Sequence, residues 1–422
     1  MRNSDNQKTR VLEPDRSQMR LVQLDLDRAI PDDAPVRAVW AFVERLDLSP
    51  FHREIKAVEG VAGRPAIDPR ILFALWIQAT LDGVGSAREI ERKCEYDLRY
   101  EWICGGVKPG HHVLSDFRSQ SESALHEMLT QSVTVLLEQG LVTLDRVAFD
   151  GMRVRAHAGA GSFRRGKRLR ELRAIVEEQM EALESELDAD PAVGTRRQDA
   201  ARRRAADERA RRIEKALKEL PEATARKKTK NGKKKSEPRT STTDPEARVM
   251  KMPDGGYRPA FNVLFVSDTK SKVIAAVDVT NHGSDHGLDV PMADQLRRRT
   301  RKTPQEWLED GGCVTLNGIN QLAEHGTKVI APIRVPRSSA QQPTDVRPTD
   351  TPAVADWRKR MADATTQEIY KLRGATAELV NAHARSCGVT QFLVSGVAKV
   401  RSVMLLFAVT HNMRRSWALG AT

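Results

Sequence analysis

The sequence predicts an α/β fold that is preceded by a helical region and interrupted by a charged helical hairpin. Apolar residues recur three or four positions apart up to about Leu141, which is typical of helices that bury one face. After Leu141, short runs rich in Val, Ile and Phe alternate with helical segments, as expected of strands in a mixed sheet. The stretch 161–240 differs from both because charged residues dominate it.

The predicted helices of the N-terminal region are defined by apolar spacing and by their first residues. Apolar residues from Val36 to Leu46 mark one helix, and Pro69 is suited to the first turn of the next. The segment Ile71–Leu81 is apolar on almost every side and is therefore predicted to be buried. Two more helices are predicted at Ala87–Cys94 and Leu114–Glu138.

The predicted hairpin lies within residues 161–240, which hold 24 Lys and Arg against 15 Asp and Glu. Apolar residues recur three or four positions apart from Leu169 to Leu187 and again from Ala206 to Leu220. The turn Asp188–Gly194 separates them, so two charged helices with a narrow apolar seam are expected. A lysine-rich linker follows, which is either a solvated, disordered segment or, if it lies beside a site that cleaves phosphodiesters, a source of phosphate contacts. Its six lysines are Lys227, Lys228, Lys230, Lys233, Lys234 and Lys235.

Strands and helices alternate in the remaining parts of the chain. The run Val147–Phe149 is predicted to be a buried strand that ends at Asp150, with Gly151 as its stop. The runs Ala260–Val266 and Val273–Val279 are predicted to form a β-hairpin. Further strands are expected at Trp307–Asp310 and Val329–Ile333, a loop at 334–353, and helices at Met292–Arg299, Ile319–Glu324, Ala355–Arg385 and Val397–Leu419.

These patterns divide the chain into segments that differ in composition. The N-terminal tail is polar and expected to be disordered, and the segment after the lysine-rich linker completes the α/β part. The expected organisation is a tail at 1–20, a helical N-terminal domain at 21–140, a first strand of the α/β domain at 141–160, the basic insertion at 161–240 and the rest of the α/β domain at 241–422.

The overall charge points to a polyanionic partner. The chain carries 69 Lys and Arg against 57 Asp and Glu, a net charge of +12, which a small neutral metabolite would not require. The apolar run Val403–Val409 is too short to cross a bilayer, and the N-terminus lacks an apolar signal segment. Four scattered cysteines without a CxxC pair argue against a disulfide scaffold or a zinc ribbon. We therefore expect a cytoplasmic protein with no membrane partner.

Three carboxylates are candidates for catalysis. Asp150 ends the first strand, Asp310 ends a later one, and Glu378 lies within the long C-terminal helix. Three such groups can hold two Mg²⁺ ions, which prefer oxygen ligands and promote phosphodiester chemistry. An Asp that closes a strand before Gly is often only a turn residue, and exposed helical Glu is common. The spacing alone leaves both interpretations open.

The sequences around these carboxylates have a recognisable order. They are Asp150–Ala156 (DGMRVRA), Trp307–Gly312 (WLEDGG) and a block that begins with Tyr370 and Arg373 and continues through Thr376–Ala382 (TAELVNA) to Arg385. In this order they resemble the catalytic blocks of bacterial insertion-sequence DDE transposases of the IS-four/IS-five-type group. The runs Gly63–Pro69 and His111–Arg118 resemble the InsH-like N-terminal transposase domain. Together the resemblance covers about residues 20–415.

The resemblance implies an RNase H-like catalytic domain, a mixed sheet flanked by helices. It implies that Asp150, Asp310 and Glu378 bind two Mg²⁺ ions, for which Mn²⁺ could substitute. Tyr370, Arg373 and Arg385 would contact DNA near these ions. The implied partners are double-stranded DNA, namely the inverted repeats of its own element and the target DNA, and a second copy of the chain as a homodimer on DNA. A location at the bacterial nucleoid also follows from the resemblance.

The sequence departs from the family pattern at three places. Cys313 stands where relatives usually have an aromatic residue. The third block resembles the Tyr–Arg–Glu–Lys signature of this group, but four residues rather than three separate Arg373 from Glu378. Arg385 stands where the signature has Lys. Arginine keeps the positive charge but changes the geometry of phosphate binding. None of these departures removes a carboxylate.

Two other functions fit part of the same pattern. A nuclease of the same fold would use the carboxylates to hydrolyse DNA without joining strands. A non-catalytic DNA-binding protein would use the basic insertion alone, and its acids would be structural. Inverted repeats flanking the gene, with a short duplication of the target, would favour transposition over both.

Two further segments have alternative interpretations. The loop Asn281–His286 contains two His and an Asp, but Gly283 favours a polar turn over a metal site. The segment Ser86–Gly105 is compatible with a helix-turn-helix that reads DNA and equally with plain helical packing.

Overall fold

A computed structural model describes residues 25–53, 55, 57, 65–189, 196–225, 237–334 and 344–420. The fold is mixed α/β, with a mixed sheet flanked by helices. The predicted tail 1–20, most of the turn 188–194 and all six lysines of the linker lie outside the described residues.

Helices joined by turns and loops are the secondary structure of the described residues before the first strand. The helices predicted at Val36–Leu46, Ile71–Leu81 and Ala87–Cys94 are confirmed with small shifts at their ends. The bounds are α1 Leu26–Ala29, α2 Pro35–Glu44, α3 Ser49–His52, α4 Pro69–Leu81, α5 Ala87–Tyr96, α6 Leu98–Cys104, α7 His111–Gln120 and α8 Glu122–Glu138.

The single helix predicted at Leu114–Glu138 was wrong, because the chain forms two helices that meet at Ser121. Ser121 has non-helical backbone angles, φ −94° and ψ 30°. It ends α7 by donating its backbone N–H to Phe117 O, and its own carbonyl accepts the N–H of Leu125 in α8. Apolar residues continue at helical spacing through this break, so periodicity alone does not reveal it.

The N-terminal helices share one hydrophobic core with the rest of the chain. Buried residues from Ile30 in the first helical turns to Met413 near the C-terminus belong to a single packed cluster. Helix α4 is the most deeply buried of the early helices, and Trp76 donates its indole N–H to Leu114 O at 3.0 Å. The long C-terminal helix α15, Val397–Ala418, packs on α4 and α8 and so joins the two ends of the sequence.

The predicted hairpin of charged helices is confirmed. Helix α9 spans Gly166–Ala189 and packs against α10, Arg196–Ala225. The apolar seam predicted from spacing includes Leu169, Val176 and Ile213, all of which are buried. Two short strands at its base form a separate antiparallel pair, β2 Phe163–Arg165 and β3 Arg239–Ser241, which the sequence pattern did not predict.

The main sheet has the order β4-β5-β1-β7-β8, with β6 paired to β5 beside β4. Strand β1 pairs antiparallel with β5 and parallel with β7, and β7 pairs parallel with β8. The predicted β-hairpin is β5 and β6, and β4 was not predicted. The bounds are β1 Arg146–Arg155, β4 Arg248–Lys251, β5 Tyr257–Asp268, β6 Ile274–Thr280, β7 Glu306–Leu308 and β8 Lys328–Ile330.

The first strand does not end at Asp150, which corrects the prediction. Strand β1 continues through Gly151 to Arg155, and Asp150 pairs with Phe265 in the middle of the ladder. Gly151 does not end the strand; glycine is required there because the position has no room for a side chain. A Cβ atom at this position would overlap the carboxylate of Asp285.

The helices that cover the sheet are α11 Asp289–Thr300, α12 Leu316–Glu324, α13 Pro352–Ala362 and α14 Ala364–Ser386. The single helix predicted at Ala355–Arg385 is divided at Asp363, whose extended backbone and side-chain bond to Thr366 N begin α14. The predicted loop 334–353 agrees with the structure over its described residues until α13 begins at Pro352. Among the described residues, no helix combines the length and apolar character needed to cross a membrane.

A buried histidine pair joins α14 to α15. His411 is 1% exposed, and its Nε2 donates to Lys272 O at 2.8 Å. Its Nδ1 lies 3.1 Å from His383 Nδ1. Burial, with a smaller contribution from the neighbouring His383, lowers the pKa of His411 to about 3, although the bond to Lys272 O opposes the shift. The folded state therefore keeps this ring neutral.

We expect this histidine to reduce stability in acid. Folding lowers the pKa of His411. The free energy of unfolding is therefore highest above the ordinary pKa of histidine and decreases as the pH falls toward 3. Protonation of the unfolded chain should remove about 2 kcal/mol of unfolding free energy between about pH 7 and pH 5. Urea unfolding at about pH 7 and at about pH 5 would measure this difference in unfolding free energy. His411→Gln should be less sensitive to pH, whereas His325→Gln at an exposed site should behave as the wild type. Equal pH dependence of both variants would contradict the assignment.

Candidate active site

Two of the predicted carboxylates are brought together by the register of the parallel strands. Ala148 of β1 pairs with Leu308 of β7, so Asp150 and Asp310, each two residues further on, lie side by side. Strand β7 was predicted to end at Asp310 but ends at Leu308, so Asp310 lies in the turn two residues further on, where it is more than half exposed. Gly311 then turns the chain against Pro332 O, where a Cβ atom would not fit.

Helix α14 supplies two polar side chains that contact Asp150. Arg373 donates from Nη2 to Asp150 Oδ1 at 2.6 Å, and the same nitrogen lies 3.8 Å from Asp310 Oδ2. Asn381, two turns further along the helix, donates from Nδ2 to Asp150 Oδ2 at 3.3 Å. The guanidinium of Arg373 therefore bridges the two carboxylates. Neither its contact with Asp310 nor the role of Asn381 was predicted from the sequence.

A third carboxylate, Asp285, faces the same pair. It lies against Gly151, next to Asp150 in the chain, and it accepts a hydrogen bond from Asn262 Nδ2. Asn262 is fully buried, and its Oδ1 has no hydrogen-bond partner in the described structure. Asp285 belongs to the loop Asn281–His286, which the sequence analysis assigned to a polar turn. Only the contact with Gly151, which is distant in sequence, reveals its position.

The electrostatics of the cavity follow from burial and crowding of like charges. Burial raises the pKa of Asp150, and the nearby Asp285 raises it further. Arg373 and the hydrogen bond from Asn381 act in the opposite direction. Behind the cavity, burial also holds the pKa of Glu309 well above its usual range, and Asp289 adds to the effect. Burial and like charges thus favour the protonated form of these carboxyl groups, and Arg373 opposes this shift at Asp150.

The side chains around these carboxylates enclose a cavity of about 380 Å³. Besides the three aspartates, Arg373, Arg385 and Asn381 line it from α14, and Cys313 and Arg334 line it from the loops that follow β7 and β8. Cys313, noted above as a departure from the family pattern, is a buried free thiol. Burial raises its pKa, so it is a neutral wall of the cavity.

The other predicted site residues have different positions. Glu378 is exposed on α14 and does not line the cavity, although Arg385, seven residues further on, does. Tyr370 is half-buried; burial raises its pKa, while Arg373 opposes the shift. The structure thus brings together Asp150, Asp310, Arg373 and Arg385, and it leaves Glu378 outside this group.

The donor set of the cavity is suited to a hard divalent cation. Asp150, Asp285 and Asp310 offer only oxygen atoms, which Mg²⁺ prefers. Within the described ranges, no three His, Cys, Asp or Glu side chains converge closely enough to hold an ion. Arg373 provides the positive charge between Asp150 and Asp310. The chemistry of the ligands therefore fits such a cation, although the side chains are not gathered around one point.

Comparison with protein-family models gives a match over residues 10–120 to the model described as Transposase domain (DUF772). The N-terminal part of the chain is therefore similar to a transposase domain. The match includes the runs Gly63–Pro69 and His111–Arg118 and ends before β1, so it does not extend to the carboxylates. Searches of curated proteins and of solved structures gave no significant match. The helices of the matched region pack on the same core as the sheet that carries the cavity.

Proposed function

We propose that the protein is a DDE transposase that cleaves DNA at the ends of an insertion-sequence element and joins the freed 3′ ends to target DNA. The observation that carries this proposal is the convergence of Asp150 and Asp310 on Arg373 beside the adjacent parallel strands β1 and β7, in a chain whose N-terminal part matches a transposase domain model. An RNase H-like architecture for the sheet is part of the proposal. The order β4-β5-β1-β7-β8, with α14 placing Arg373 over β1, supports it.

Asp150 and Asp310 are proposed to hold two Mg²⁺ ions, with Mn²⁺ as a substitute. When bound, such ions activate the attacking oxygen and stabilise the leaving oxygen of the phosphodiester. Arg373 and Arg385 line the same cavity from α14, and their planar donors suit phosphate oxygens. Asn381 fixes the orientation of the Asp150 carboxylate through its contact at 3.3 Å.

The third carboxylate has two candidates. The resemblance assigns Glu378, which would have to turn toward the cavity from the exposed side of α14. The geometry offers Asp285, which already lies in the cavity beside Gly151. We propose that Glu378 completes the catalytic set as DNA binds and that Asp285 orients Asp150 from the opposite side.

The proposed partners are double-stranded DNA of the element ends, target DNA and a second copy of the chain. The net charge of +12 supports DNA binding. Tyr370 and the six lysines between Lys227 and Lys235 are proposed to contribute phosphate contacts. A homodimer on DNA would hold both element ends at once.

The proposal is tested with purified protein and a plasmid that carries a selectable marker between the inverted repeats flanking the gene. With Mg²⁺, we expect cleavage at both repeats and joining of the marker to a target plasmid. Cleavage without joining would favour a nuclease of the same fold. Binding without either reaction would favour a non-catalytic DNA-binding protein, and the site proposed here would then be structural.

We expect Arg373→Ala and Arg385→Ala to lower the cleavage rate on pre-bound ends by about tenfold or more, corresponding to about 1.4 kcal/mol of transition-state stabilisation. Affinity for long DNA should change much less, since many other basic residues contribute to it. Single-turnover cleavage at saturating protein and a gel-shift titration measure the two effects. Lys371→Ala is the matched control, because Lys371 is exposed on the same helix and pairs with Glu368. Cleavage at the wild-type rate by both arginine variants would assign them a structural role.

A further inference from the structure

A second and larger concavity lies beside the candidate active site, between the inserted helical hairpin and the edge of the sheet. Its volume is about 1160 Å³, and its walls come from β2, β3, β4, the end of α10 and the loop after β6. We call it the basic groove, because six of its side chains are cationic or can become so: Arg165, Arg239, Arg248, His282, His286 and Arg334.

The basic groove is continuous with the candidate active site. Ser284, Gly312 and Arg334 line both concavities. The loop Asn281–His286 separates them, with Asp285 in the catalytic cavity and His282 and His286 in the groove. A chain molecule that lay along the groove would therefore reach Asp150 and Asp310 at its end.

The charge of the groove is only partly balanced. Arg165 forms an ion pair with Glu237 at 3.7 Å, and Arg248 pairs with Glu219. Arg239 and Arg334 are exposed and have no acidic partner in the described part of the chain. Unpaired arginines along a groove that ends at a carboxylate site favour a polyanion with phosphate groups.

Apolar side chains alternate with these arginines. Phe163 is a largely buried part of the groove wall, whereas Val249 on the edge strand β4 is 51% exposed. Single strands of nucleic acid present both phosphates and the flat faces of bases, so they bind grooves that combine positive charge with apolar surface. This mixture suits a nucleic-acid strand better than a small anion.

The wall between the groove and the cavity is fixed by hydrogen bonds. Arg153 of β1 donates from Nη2 to Gly283 O at 3.0 Å, and Asn281 donates from Nδ2 to Glu246 O at 3.1 Å. The loop is thus tied both to the catalytic strand and to the segment before β4. The groove is built into the fold before a ligand arrives.

We propose that the basic groove holds one strand of DNA and directs a phosphodiester of that strand to Asp150 and Asp310. The inference rests on the proposed function for the reaction at the end of the groove, whereas binding in the groove requires no cleavage. The inserted hairpin would then act as one wall of the substrate channel.

Site-specific photo-crosslinking tests the location of the strand. A benzophenone amino acid replaces Val249 in the full-length chain, and a second variant carries it at Leu316, which is 52% exposed on α12. Labelled DNA oligonucleotides of mixed sequence, single-stranded and double-stranded, are the probes, without added metal. We expect an adduct from position 249 and none from 316. DNA binding by both variants without an adduct at 249 would place the DNA elsewhere and overturn the inference.

A charge-reversal pair tests the phosphate contacts. Arg165→Glu with Arg239→Glu should weaken binding of the same DNA by about tenfold. The pair should also reduce the log–log salt dependence of affinity by about 1.4 for single-stranded and about 1.8 for double-stranded DNA, since each phosphate contact contributes about 0.7 or about 0.9. Arg298→Glu with Lys302→Glu changes the net charge equally outside the groove and should have a smaller effect. Equal effects of the two pairs would overturn the inference.

The outcomes separate this inference from the proposed function. An adduct at position 249 in a protein that fails to cleave element ends would support the groove and contradict the transposase proposal. If the Arg165→Glu, Arg239→Glu variant cleaves and joins DNA with the wild-type rate and affinity, the transposase proposal is supported and the groove is contradicted. Tighter binding of RNA than of DNA of the same sequence, abolished by the reversal pair, would contradict the assignment to DNA.

Discussion

Replacing Asp150 or Asp310 with alanine should abolish cleavage of element ends, with a loss of at least about 1000-fold, or about 4 kcal/mol of transition-state stabilisation. The two carboxylates both contact Arg373 and share one cavity, so each variant removes a proposed ligand of the same reaction centre. Single-turnover cleavage with Mg²⁺ and with Mn²⁺ measures the loss. DNA affinity should persist because it comes from the basic surface.

The two aspartates should differ in their effect on folding. Asp150 is mostly buried and bonded to Arg373 and Asn381, whereas Asp310 is more than half exposed. Asp150→Asn, which keeps the size of the side chain, therefore accompanies Asp150→Ala, and thermal unfolding is recorded for every variant. Asp356→Ala, at an exposed acid paired with Arg360 on α13, serves as the control. A folded Asp150→Asn or Asp310→Ala variant that cleaves at the wild-type rate would remove that residue from the site.

The second large effect concerns the third carboxylate. We expect Glu378→Gln to abolish cleavage, because the resemblance places this residue in the catalytic set. We expect Asp285→Asn to lower the rate by about tenfold, because Asp285 is held by Asn262 against Gly151 and faces Asp150. Glu368→Gln, also exposed on α14, is the matched control.

Glu378→Gln and Asp285→Asn can also be compared by a measurement that does not depend on cleavage. Binding of Mn²⁺ to the DNA-free protein can be measured from the paramagnetic effect of the ion on water relaxation. This binding should be weaker in Asp285→Asn if the Asp285 carboxylate faces the metal site. If Asp285→Asn abolishes cleavage and weakens Mn²⁺ binding while Glu378→Gln leaves both unchanged, the third carboxylate is Asp285. In that case the helix need not rearrange when DNA binds.

Most helices could be predicted because apolar spacing reports which face of a helix is buried. The two breaks, at Ser121 and at Asp363, were missed because apolar residues continue through them and only the backbone caps reveal them. The short strands β2, β3 and β4 were missed for another reason. Each has three or four residues, too few to show alternation.

The candidate site was partly predictable for a similar reason. Asp150 and Asp310 stand out because each carries a short local pattern of strand, acid and glycine. Asp285 does not, since its role depends on the contact with Gly151, and a loop rich in polar residues has no periodicity to interpret. Asn381 likewise resembles any polar helical residue until its contact with Asp150 is known. Contacts between distant parts of the chain are what the local pattern lacks.

The order in which the chain emerges during synthesis has a consequence for when this site can exist. Strand β1 pairs with β5 across the whole inserted hairpin, and the contacts of Asp150 with Arg373 and Asn381 are made only after α14 has been synthesised. Helix α15, at the very end, completes the core of the N-terminal helices. Such long-range closure slows folding, since loop entropy is lost before the contacts form. A nascent or C-terminally truncated chain would therefore hold neither a finished core nor an assembled site, and it could not carry out the proposed reaction.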